Sequence, residues 1–119
     1  MATNKWPTYI GVLDFEATCD DNKGYGHEII EFPTVLLKFD ETKQNYVVID
    51  EFREYCLPPK KPQLTKFCKE LTGITQEQVN NGSKFVDCIN RHYKWLVGHL
   101  GKYDPDDTEF LFLTCGFWD

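Results

Sequence analysis

The chain has 119 residues, 41% hydrophobic, 15% aromatic and 27% charged, with a formal net charge of −6. That length suits one domain with a real core, and the apolar fraction excludes a disordered chain. The acidic balance excludes a generic nucleic-acid coat, which needs an excess of Lys and Arg, but not an enzyme whose acidic cluster is neutralised by metal ions. No stretch approaches the roughly 18–20 apolar residues of a membrane span. The N-terminus from Met1 to Pro7 lacks the apolar core of a signal peptide, so an intracellular, cytoplasmic or nuclear, protein without a membrane partner is expected.

In chain order, the first element is an apolar strand, Tyr9 to Cys19, that carries Asp14 and Glu16 near its end. Asp20 to His27 is a polar, Gly-containing turn. Ile29 to Phe39 reads as a second strand, in which Pro33 calls for a bulge or an amide facing away from its neighbour. Asp40 to Asn45 is a hairpin loop and Tyr46 to Cys56 a third strand, so the three form an antiparallel meander. Leu57 to Pro62 is too rich in proline for a helix. Thr65 to Leu71 is a short helix with Thr65 as its N-cap and Gly73 just past its end. Another helical turn follows at Thr75 to Val79.

Ser83 is placed to cap a longer helix reaching Leu100, with Phe85, Ile89, Tyr93, Leu96 and Leu100 as its apolar positions and an Asp87–Arg91 pair on the outside. Phe110 to Cys115 reads as a fourth, fully buried strand. The fold class is therefore α/β: a three-stranded antiparallel meander, a helix, and a fourth strand that the helical crossover sets parallel to the first. The crossover brings the ends of strands one and four together, so Asp119 is expected to face Asp14 and Glu16.

Side chains alternate along a strand, so Asp14 and Glu16 project to one side. Two carboxylates held together repel unless a positive charge lies between them. Mg²⁺ or Mn²⁺ prefers such hard oxygen ligands, together with phosphate oxygens. The pair thus points to metal-dependent phosphoryl chemistry, with Asp119 as a third carboxylate. The five cysteines, at 19, 56, 68, 88 and 115, are odd in number and lack the tight pairs of a zinc site. They read as free, mostly buried thiols.

Several blocks together resemble a known family. Asp14–Cys19, Glu28–Pro33, Phe67–Gln76 and Thr114–Asp119 are similar to the DEDDh three-prime exonucleases of the DnaQ-like, ribonuclease-H-like fold, and within them to the Eri-like group that includes the histone-mRNA three-prime exonucleases. The resemblance runs from Tyr9 to Asp119. It implies a metal-dependent three-prime to five-prime exonuclease acting on RNA or single-stranded DNA ends through a two-metal Mg²⁺ or Mn²⁺ site. It makes Asp14, Glu16 and Asp119 the catalytic metal ligands. The backbone at Ala17 and Thr18 would approach the terminal sugar, Phe67, Leu71 and Thr72 would line the base, and Trp118 would offer a stacking face. It also places a histidine and a final aspartate on a later helix. Residues 1–119 are accordingly read as the N-terminal portion of a single exonuclease domain, an incomplete exonuclease fold. Phe117 stands where the family has a small or polar residue.

Outside those blocks an Asp-x-Glu is a solvated strand end. His99 and Asp104 have the family's histidine-to-aspartate spacing, but they precede Asp119 and His99 is explained by a helix C-terminus. His27 and His92 read as surface histidines. Lys60, Lys61, Lys66 and Lys69 are either phosphate contacts or a solvated face. The alternative function is a nuclease-like module that binds metal or nucleic acid without cutting.

Overall fold

The computed structural model describes residues 6–22, 24–102, 104 and 109–115. The expectations for Phe117, Trp118 and Asp119 lie outside the described residues. The elements in order are β1 (Tyr9–Leu13), β2 (Glu16–Ala17), β3 (Ile29–Asp40), β4 (Asn45–Tyr55), α1 (Lys66–Thr72), α2 (Gln76–Asn80), α3 (Phe85–Leu100) and β5 (Phe110–Thr114). One edge of β3 pairs with β4, and its other edge pairs with β2 and then with β1, all antiparallel. β5 adds to the far edge of β1 in parallel, with Ile10 opposite Leu111 and Val12 opposite Leu113. This is the meander, crossover helix and parallel return strand expected from the sequence.

The first strand is not continuous. Asp14 and Phe15 fall in a break between β1 and β2. Across that break lies Pro33, between Glu31, which pairs with Glu16, and Thr34, which pairs with Leu13. Phe39, of the same parity as Pro33, donates its N–H to Thr8 O, so odd-numbered β3 residues bond toward β1. Pro33 has no N–H to give. The ladder therefore lapses opposite Asp14 and frees the chain to turn there.

One face of the sheet is covered by the helices. Leu13, Phe32, Phe52, Cys56 and Cys88 form one core cluster, and Ile30, Leu64, Cys68, Ile74 and Val79 a second that mounts α1 and α2. Thr65 and Thr75 cap α1 and α2 through their hydroxyls, and Gly73, at φ 74°, ends α1 in the left-handed conformation that favours glycine. Ser83 does not cap α3. Its backbone is paired with Cys56 and Leu57, so Lys84 takes the N-cap position without a side-chain bond. This close approach also requires Gly82, where a Cβ would lie 2.6 Å from the Tyr55 carbonyl oxygen.

α3 turns a different face inward from the one its aliphatic residues suggest. Cys88, His92 and Leu96 are buried, whereas Ile89 and Tyr93 are exposed. Arg91 bonds Glu54 of β4 at 2.6–2.9 Å instead of pairing with Asp87. His99 shares Asp50 Oδ2 with the Trp95 indole, each at 2.8 Å, and those two bonds hold Asp50 below the usual carboxylate range. β5 is not fully buried, because α3 covers only one side: Phe112 packs on the first cluster, while Leu111 and Leu113 are 52% and 54% exposed.

His92 departs furthest from its sequence reading. Only 6% exposed, it lies among Phe32, Phe52, Trp95 and Phe112, and its Nε2 is 2.8 Å from Thr34 Oγ1. Burial pushes its pKa down from 6.5 to about 4. Between those values the unfolded chain binds the proton and the folded one does not, so stability is lost as pH falls through that window. The loss expected on going from neutral pH to about pH 4 is roughly 3 kcal/mol from this group. Urea denaturation at several pH values checks it: His92→Phe, which cannot titrate, should flatten that part of the pH dependence. An unchanged slope contradicts the assignment.

Candidate active site

At the break after Leu13 the backbone delivers Asp14, exposed, and Glu16, half-buried, to the face of the sheet opposite α3. A depression of about 340 Å³ there is lined by Val12, Asp14, Glu16, Glu31, Pro33, Val35, Glu51 and Arg53. The strand register explains the set. Val35 pairs with Val12 and with Glu51, Pro33 with Arg53, and Glu31 with Glu16, so alternating residues of neighbouring strands share one surface. Glu31 is 7% exposed, and the Arg53 guanidinium bonds its Oε2 through Nε at 2.5 Å. That contact raises the Arg53 pKa. Glu31 is thus an anchored ion-pair partner, and Asp14, Glu16 and Glu51 are the other carboxylates of the lining.

A second depression, of about 240 Å³, lies on the other side of Glu16 and is lined by Phe15, Glu16, Ala17, Cys19, His27, Leu71 and Thr72. Ala17, Leu71 and Thr72, expected from the sequence to stand together, do so. Phe67 is not in the lining. It sits one helical turn before Leu71 on α1 and is 39% exposed. Thr18 is only 1% exposed and faces inward. Its hydroxyl donates to Gly26 O and accepts from Glu28 N–H, its own N–H donates to Glu28 O, and its carbonyl is 2.7 Å from His27 Nδ1. Thr18 therefore ties the 18–28 loop shut beside the depression. Thr18→Val removes both hydroxyl bonds at nearly constant volume and is expected to cost about 1–2 kcal/mol. A lower melting midpoint and faster exchange of the Glu28 amide would record it.

Thr72 Oγ1 donates to Cys68 O and accepts from Ile74 N–H, so its hydroxyl is already engaged within α1 and the turn after it. The Cys19 thiol is pushed up to about 12, first by burial and then by its hydrogen bond with Cys68. A thiol held protonated at neutral pH is no nucleophile. Sequence reasoning missed Phe15, His27, Glu31, Glu51 and Arg53 as lining residues. Glu31 had a signal, since it is two positions before Pro33 in strand alternation. Arg53 had none, because its partner is 22 residues away.

The donors at Asp14 and Glu16 are hard carboxylate oxygens, which suit Mg²⁺ or Mn²⁺ and not a soft metal. Among the described residues no group of three or more His, Cys, Asp and Glu side chains is arranged to hold a metal ion by itself, and no helix is long and apolar enough to cross a membrane.

An antiparallel meander closed through a helix by a parallel strand, with acidic residues at the end of the first strand, is the ribonuclease-H-like arrangement. The family model for exonucleases, RNase_T, matches residues 12–116. The 3′-5′ exoribonuclease 1 of Rattus norvegicus is 38% identical over 99% of this chain and 33% of its own length. ERI1 exoribonuclease 3 of Homo sapiens is 40% identical over 93% of this chain and 31% of its own. The crystallographic structure of the nuclease domain of 3′hExo, a DEDDh family member bound to rAMP, superposes with a TM-score of 0.82 at 34% identity, covering 98% of this chain and 56% of that one. This chain belongs to the exonuclease family. It spans about a third of the length of the curated relatives it matches.

Proposed function

We propose that this chain supplies the metal-binding and terminal-nucleotide-binding part of a three-prime to five-prime exoribonuclease, and that residues 1–119 are the N-terminal portion of its exonuclease domain. The observation that carries this reading is the position of Glu16, which lines both the carboxylate depression and the neighbouring pocket. A phosphate bound at Asp14 and Glu16 would therefore have its three-prime nucleotide in the pocket. Asp14 and Glu16, with Asp119 as third ligand, would hold a pair of Mg²⁺ or Mn²⁺ ions. Those ions, when bound, lower the pKa of a water and offset charge on the departing oxygen.

The chain's own residues bind and orient. Ala17 has a small side chain that would let a sugar approach the backbone, Leu71 and Thr72 would wall the base, and the family resemblance assigns Phe67 and Trp118 to the same base. Thr18 positions Ala17 by fixing the loop behind it. RNA three-prime ends are the substrate this reading favours, supported by the rAMP bound to the 34%-identical nuclease domain; single-stranded DNA is the alternative. The test is release of mononucleotides from a three-prime-labelled RNA in Mn²⁺ or Mg²⁺ by the full-length protein. Release that Asp14→Ala removes supports the enzyme. Binding of Mn²⁺ and AMP with no release identifies the non-cutting module instead.

A further inference from the structure

Arg53 has no part in that scheme, yet it stands in the same depression as Asp14 and Glu16. Among the described residues it is the one cationic side chain in a lining that also holds Glu31 and Glu51. Glu31 binds its Nε edge, and the Tyr55 ring lies 5.4 Å from its Cζ. These two contacts fix the plane of the guanidinium, yet the side chain is 63% exposed. A planar fork held along one edge on a largely exposed side chain is pre-organised for bidentate contact with an oxyanion.

Its placement says which oxyanion. Arg53 pairs with Pro33, and Pro33 lies across from the strand break at Asp14. Two strand spacings, about 10 Å, separate the Arg53 backbone from Asp14. The pocket, the Glu16–Asp14 pair and Arg53 therefore follow one another across the sheet, with Arg53 on the side of the carboxylates away from the pocket. We propose that Arg53 is a phosphate-binding residue for the linkage next to the scissile one, on the five-prime side, and that Glu31 and Tyr55 are its positioning residues. This subsite rests on the terminal-nucleotide reading above. A strand entering an acidic depression needs a cation for each phosphate it brings: bound metal meets the first, Arg53 the next.

The test measures AMP and a short oligoadenylate, its last linkage a phosphorothioate, binding to the same protein in Mn²⁺. Arg53→Met alone leaves Glu31 buried without a partner and threatens the fold. The informative variant is therefore the double replacement Arg53→Met with Glu31→Gln, accompanied by Arg53→Lys, which keeps the charge without the fork. In the double variant AMP binds as in wild type, the oligoadenylate binds about tenfold more weakly, and the slope of log affinity against log salt falls by about 0.7. Arg53→Lys restores the salt slope and only part of the affinity. Unchanged oligoadenylate affinity and salt slope in the double variant, with AMP binding intact, overturns the subsite. Wild-type protein that binds no AMP overturns the pocket assignment itself, and the subsite with it.

Discussion

Asp14→Ala is expected to lower metal-dependent nucleotide release about a thousandfold or more and to leave the metal-free protein as stable as wild type. The first part follows from what a metal ligand contributes: several kcal/mol of transition-state stabilisation, each 1.36 kcal/mol being tenfold in rate. The second follows from the site. Asp14 is exposed in the break between β1 and β2, and Glu16 lines the same depression, so removing one carboxylate relieves repulsion and exposes no core. Wild type should gain melting temperature with Mn²⁺, and the variant should not. A variant that melts lower without metal would mean that Asp14 is structural, and one that still releases nucleotide would mean that it is not a ligand.

Ile30→Ala has the largest effect on folding and reaches the site indirectly. Ile30 is fully buried among Leu64, Cys68, Ile74 and Val79, the cluster that seats α1 and α2 on β3. Truncating it leaves a cavity under α1, at an expected cost of about 2–5 kcal/mol in urea denaturation. α1 carries Leu71 and Thr72, so the wall of the pocket loosens as well. AMP affinity should fall while Mn²⁺ affinity of the folded protein stays near wild type, since Asp14 directly follows β1 and Glu16 lies in β2. Equal losses of both would place α1 and the carboxylates in one cooperative unit.

The sheet was legible because its strands, with β1 and β2 read as one run, are marked by local composition, and the long helix carries the chain back across the sheet; hence the parallel return of β5 beside β1. The inner face of α3 was not. Counting aliphatic residues passes over Cys88, His92 and Trp95, and a histidine that is buried, neutral and bonded to a threonine 58 positions away looks in sequence like a polar surface residue. The break at Asp14 was hidden for a related reason. It depends on Pro33, which comes opposite only once β3 is in register. Within the candidate site, Ala17, Leu71 and Thr72 meet at Glu16 as the blocks implied, Phe67 stands outside the lining, and Thr18 is spent on the loop. Glu31 and Arg53 come from strands whose pairing alone sets them beside Asp14.

On this reading one residue, Glu16, joins a cation site to a nucleotide pocket. Calorimetric titration of AMP with and without Mn²⁺, on wild type and on Glu16→Gln, tests it most directly. If the two sites are joined, Mn²⁺ tightens AMP binding, AMP tightens Mn²⁺ binding by the same factor, and Glu16→Gln loses that coupling. AMP affinity that is indifferent to Mn²⁺ in wild type, or coupling that survives in Glu16→Gln, would mean that Glu16 does not join the two sites.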